Sequence, residues 1–154
     1  MGFFDLFKEQ QEPTKENTTY YELDMTSAAY YQDDLKKLVE KIVPIDKDYF
    51  ADNFKGRQIL YKYGIFETCE LNFFEDKKNE HDPNAVSVNW RLRKIGYVPM
   101  THSVQFKEQL KKRKIYNPSI VIYGGPIKIL RDDNLVTVEE HPFKITLKFF
   151  VKNY

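Results

Sequence analysis

Apolar positions change their period along the chain, and the changes mark out its elements. From Thr26 to Val43, the residues Ala28, Tyr31, Leu35, Leu38, Val39 and Ile42 recur at helical spacing and form one stripe. Thr26 or Ser27 can cap this helix, and Pro44 ends it. A second helix is expected from Thr101 to Lys114, with Val104, Phe106 and Leu110 turned partly inward. Its lysines lie outward or in the last turn, where positive charge suits the helix dipole. Elsewhere the period falls to two. Phe66 to Phe74 alternates loosely, Ala85 to Trp90 alternates cleanly, and Lys94 to Val98 is a short strand closed by Pro99. Ser119 to Tyr123 is an apolar run stopped by Gly124-Gly125-Pro126; Ile127 to Leu130, Leu135 to Val138 and Phe143 to Val151 follow as strands. The last puts Phe143, Ile145, Leu147, Phe149 and Val151 on one face. About two helices among many short strands predict an α+β, mainly β domain, a small barrel or rolled sheet rather than a doubly wound fold.

Composition narrows the class. With 154 residues the chain has room for one domain, and 42% hydrophobic residues, including 11 Tyr and 12 Phe, supply a core. No apolar run is long enough to span a membrane, and the opening Met1-Gly-Phe-Phe-Asp-Leu-Phe-Lys8 lacks the basic start of a secretory leader. The single Cys69 and the lack of zinc-type spacing fit a reducing cytoplasm. Lys8 to Thr19 is polar and contains Pro13, so residues 1–19 are expected to form a flexible tail and residues 20–154 a single domain. Ahead of that linker, Phe3, Phe4, Leu6 and Phe7 form a sticky head: either an anchor for a partner or membrane surface, or a frayed terminus.

The net charge of +1 hides a polarity. Residues 1–90 carry 11 basic and 18 acidic groups, whereas residues 91–128 carry 9 basic and 1 acidic. A basic segment of this kind marks either an anion-binding face or a solvated helix surface. Arg91, Arg93, Lys107 and Lys111 are its candidate phosphate contacts, and such contacts would make binding steeply salt-dependent.

The most informative stretch is Asn79-Glu-His-Asp-Pro-Asn-Ala-Val-Ser-Val88, followed by Lys94-Ile-Gly-Tyr-Val-Pro99. Asp82-Pro83-Asn84 reads as a turn into a strand, and Gly96 lets another chain or a ligand approach the backbone closely. The paired motifs resemble those of the HIRAN domain, and Phe54 to Leu60 with Gly64 and Glu70-Leu71 are similar to its opening, so the resemblance is strongest over residues 43–125. It implies a modified β-barrel of OB-like or SH3-like character that binds single-stranded DNA and cradles its 3′ end. By that resemblance Arg57 and Gln58 face the terminal nucleotide, His81 abuts the base and Asp82 accepts a hydrogen bond from the 3′-hydroxyl. Asn84, Lys94 and Tyr97 complete the set. A carboxylate beside phosphates is repulsive unless it meets a hydroxyl, so Asp82 would select a free 3′-OH. Its competing role is a turn or cap residue. Arg57 can equally pair with a neighbour such as Asp52, and Trp90 and Tyr97 can equally be core.

Catalysis has little to stand on. Cys69 has no neighbouring His in sequence, no phosphate-binding loop is present, and the spacing of His81, His102 and His141 predicts no metal site. The expected function is therefore a non-enzymatic nucleic-acid-binding module without cofactor or metal, with single-stranded DNA or DNA ends as partner. The alternative is a protein-interaction module docking its partner through residues 1–43.

Overall fold

The computed structural model describes residues 17–154. The Phe-rich head and most of the expected tail lie outside the described residues. The chain forms ten strands: β1 (Thr18–Asp24), β2 (Ile59–Tyr61), β3 (Phe66–Thr68), β4 (Leu71–Glu75), β5 (Val86–Trp90), β6 (Arg93–Tyr97), β7 (Ile115–Gly124), β8 (Ile127–Leu130), β9 (Val136–Glu139) and β10 (Phe143–Lys152). Three α-helices, α1 (Gln32–Ile42), α2 (Lys47–Phe50) and α3 (Met100–Lys111), and a 3-10 turn at Thr26–Tyr31 complete it. The result is a mainly β, barrel-like α+β domain.

Three antiparallel sheets carry it, ordered β1-β10-β7-β3, β2-β8-β9 and β4-β5-β6. β10 is the central staple: the alternation of Phe143, Ile145, Leu147 and Phe149 drives those four side chains inward, where they meet Ile120 and Ile122 of β7. Facing them are Val86, Val88 and Trp90 of β5 and Ile95 of β6. α1 closes the core with Leu35, Leu38 and Val39, and α3 with Phe106, whose ring meets Phe73 and Phe149 edge-on at 5.0 Å each. A smaller cluster of Tyr49, Phe54 and Leu60 sits under the β2-β8-β9 sheet.

Several expectations are corrected. The helix expected from Thr26 to Val43 is a 3-10 turn followed by α1, with the break at Gln32. The Gln32 side-chain amide donates to Phe143 O and accepts from Phe143 N, both at 2.8 Å, so it substitutes for a strand at the free end of β10. Phe66 to Phe74 is two strands, because Thr68 Oγ1 accepts from the Glu70 N–H and Leu71 N–H turns back onto Cys69 O, releasing the chain from β7 to pair with β5. Thr18 and Thr19, read as linker, open β1 and pair with Lys152 and Val151. Val104 of α3 is exposed rather than inward, and α2, capped by the Asp46 carboxylate, is a third helix. Trp90 is wholly buried.

Gly96 of β6 is approached closely, as its sequence suggests, but by the chain itself. A Cβ there would lie 2.8 Å from Met25 Cε and 3.0 Å from Ser27 Oγ. The missing side chain lets the 3-10 turn lie flat on β6. Gly96→Ala is expected to lower stability by about 1–3 kcal/mol, measured as a shifted urea midpoint followed by Trp90 fluorescence; an unchanged midpoint would show that the turn yields freely.

Candidate nucleic-acid interface

The loop joining β4 to β5 is tied down by its own short polar side chains. Asn79 Oδ1 accepts the N–H groups of His81 at 2.9 Å and Asp82 at 3.0 Å, and Asp82 Oδ1 accepts that of Asn84 at 2.9 Å. Backbone bonds between Asp76 and Ala85 and from Ala85 to Asp82 close its base. Asp82 is thus a turn residue through one oxygen, while its other oxygen has no partner among the described residues. Residues 79–82 are thereby held against the mouth of β6.

Opposite stands the 3-10 turn. Ser27 Oγ accepts the Tyr97 N–H at 2.7 Å and donates to Tyr97 O at 3.3 Å, which pins the turn to β6. Between loop and turn lies a cavity of about 690 Å³. Tyr30, Tyr31 and Tyr97 line it together with Val98, Pro99 and Met100. Asn79, His81 and Asp82 line its loop side, and no lysine or arginine lines it among the described residues. Tyr30 is almost fully exposed, whereas Tyr31 tilts against Tyr97 with ring centroids 6.5 Å apart.

Behind the cavity wall Tyr97 Oη donates to Asp76 Oδ2 at 2.7 Å and accepts from Lys94 Nζ at 3.0 Å. The phenol is occupied, so the ring face is what Tyr97 offers to the cavity. Its hydrogen bond holds the Lys94 ammonium above its ordinary pKa despite partial burial, and burial followed by the neighbouring Tyr97 pushes the Tyr31 phenol up.

The structure brings His81, Asp82 and Tyr97 together, with Lys94 immediately behind them. Asn84 joins only through its backbone N–H to Asp82. Arg57 and Gln58 do not line the cavity: they lead into β2, where the Arg57 guanidinium meets Asp48 at 3.0 Å, rather than Asp52, and the Gln58 carbonyl accepts from Leu130 N–H. Of the basic segment, Arg91 pairs with Glu70 at 2.7 Å, Arg93 with Asp34 at 3.6 Å and Lys111 with Glu75 at 3.6 Å, whereas Lys107 has no partner among the described residues. None of these four lines the cavity. His102 contacts Thr101 and His141 contacts Glu139, and of the three histidines only His81 lines the cavity.

The family model of the HIRAN domain matches residues 20–140. The chain belongs to the HIRAN domain family. No curated protein and no solved structure matches the chain. HIRAN domains are DNA-binding modules rather than catalysts in themselves, which makes nucleic-acid binding the function class of this chain. In this HIRAN domain the match starts well before Val43 and so takes in most of β1 and all of the 3-10 turn, the segment that faces the motif loop.

Sequence reasoning missed Thr26, Ser27, Tyr30 and Tyr31 as cavity residues because it assigned them to a helix. Their signal was the adjacent Tyr30-Tyr31 pair, since two successive large side chains cannot both face one core. It also passed over Lys77 and Lys78, exposed cations of the motif loop with no carboxylate partner among the described residues.

Lys94 and Tyr31 both hold their protons more tightly when folded, so the stability they contribute is present below their ordinary pKa values and lost as pH rises through the raised ones. Lys94→Met should therefore flatten the alkaline decline of the urea midpoint above about pH 10.5; a variant that declines as steeply as the parent would contradict the coupling.

Proposed function

We propose that this HIRAN domain binds single-stranded DNA by its 3′ end, with the terminal nucleotide in the cavity between the 3-10 turn and the motif loop. The observation that carries the reading is the character of the lining: tyrosine rings and apolar side chains, with Asp82 the one carboxylate and no lysine or arginine. A base gains from stacking on such walls whatever its identity. A phosphate inside them meets the Asp82 carboxylate with no cation to offset it, whereas a terminal hydroxyl donates to the Asp82 oxygen that Asn84 leaves free.

Phosphates belong at the rim. Lys77 and Lys78 stand on the same loop, and Lys94 is half-exposed beside Tyr97. Arg91, Arg93 and Lys111 reach phosphate only by leaving carboxylates, an exchange that costs little because exposed ion pairs are worth about 0–1 kcal/mol. With two or so phosphates held, the salt dependence should be modest, a log–log slope of about −1 to −2.

Fluorescence anisotropy with one labelled oligonucleotide ending in 3′-OH or 3′-phosphate tests this directly. The hydroxyl end should bind at least about fivefold more tightly, and Asp82→Asn, which keeps the acceptor for the Asn84 N–H, should erase the preference. Equal affinity for the two ends would overturn the 3′-end reading. Absence of any oligonucleotide affinity would overturn DNA binding itself and favour a protein partner.

A further inference from the structure

Two further depressions follow on from the cavity in series. One, of about 360 Å³, shares Thr26 and Ala29 with it and is lined beyond them by Tyr123 and Lys144. The next, of about 650 Å³, shares Tyr123, Pro142 and Lys144 with the second and ends on Tyr61, Tyr63 and Ile65. The three share rims in series and so trace one path across the face of the domain.

The chemistry along this path repeats that of the cavity and adds the cation the cavity lacks. Tyr123 and Lys144 are directly paired across β7 and β10, so they project side by side from the same face. Tyr123 and Tyr61 are both partly exposed, and Ile65 is largely so. Lys144 is exposed and has no carboxylate partner among the described residues. Outside the lining, Lys62 Nζ lies 5.4 Å over the ring of Tyr63. The acid on the path is Asp24, which already accepts from the Thr146 hydroxyl at 3.2 Å. Flat rings beside an unpaired lysine suit a single strand, since every base has a face to stack and every phosphate a charge to neutralise.

We propose that a single strand seated by its end in the cavity continues over the Thr26–Ala29 rim, with one base on Tyr123, its phosphate on Lys144, and a later base on Tyr61. This rests on the end-binding reading and extends it to a footprint of about 4 or more nucleotides. Tyr123 and Tyr61 then govern affinity for long strands, while the cavity governs recognition of the end.

The two levels separate in a length series. Anisotropy is measured for oligodeoxythymidylates of two and of eight nucleotides, each with a 3′-OH, on the full chain and on the Tyr61→Ala/Tyr123→Ala and Lys144→Gln variants. The longer strand should bind the parent chain at least about tenfold more tightly than the shorter. The double tyrosine variant should lose about tenfold for the longer strand and nothing for the shorter, and Lys144→Gln should lower the salt slope for the longer strand alone. Equal affinity for both lengths, or a longer strand indifferent to both variants, would overturn the track while leaving end binding intact. Binding of neither strand would overturn both.

Discussion

The contact on which the cavity depends is the docking of Ser27 on the backbone of Tyr97. A hydroxyl that both accepts from and donates to one residue replaces the ladder partner that β6 lacks on that edge. Gly96 favours it by presenting no Cβ to the Met25 and Ser27 side chains. With that turn fixed, Tyr30 and Tyr31 are held opposite the motif loop, and Gln32 starts α1 in a register that leaves its amide on Phe143. The cavity is therefore a seam between the start of the domain and its central hairpin, each wall held by hydrogen bonds within the protein. Walls of this kind need little rearrangement to receive a ligand, which reduces the ordering cost of binding.

Electrostatics divides the work. In sequence the basic segment could be a phosphate-tracking face or a solvated helix surface, but its members lie on the β5–β6 hairpin and on α3, and three of the four candidates rest on carboxylates of the acidic first half. The sequence polarity is thus spent largely on joining the two halves of the fold. What remains near the cavity is a cation-free interior with lysines of the loop outside it, an arrangement suited to an uncharged terminus and a charged approach.

How much could be read in advance follows from what each signal depends on. The strand at Phe143–Lys152 was legible because four of its side chains are buried by simple alternation, and Ile127–Leu130 because Gly-Pro punctuates its start. β1 was not, since as an edge strand it buries only Leu23 fully, and its polar alternation resembles a linker. The β5–β6 hairpin turns at Arg91-Leu92, both with positive φ, without the Asn-Gly pair that usually announces such a turn. In the site, His81, Asp82 and Tyr97 were legible because motif residues adjacent on one hairpin stay adjacent in space. The opposite wall was not, because a 3-10 turn shares its first residues with the helical stripe and its partner lies about seventy residues away. Arg57 and Gln58 were carried in by a local likeness whose spatial meaning depends on the β2-β8-β9 sheet, away from the cavity lining.

In the proposed function the ligand enters between the 3-10 turn and the motif loop. Amide chemical-shift mapping by NMR during titration with a short single strand bearing a 3′-OH tests it residue by residue. The structure predicts that the amides of Ser27, Tyr31, His81, Asp82 and Tyr97 move together and saturate at one concentration. Shifts centred on Arg57 and Gln58, with those cavity amides unmoved, would contradict it.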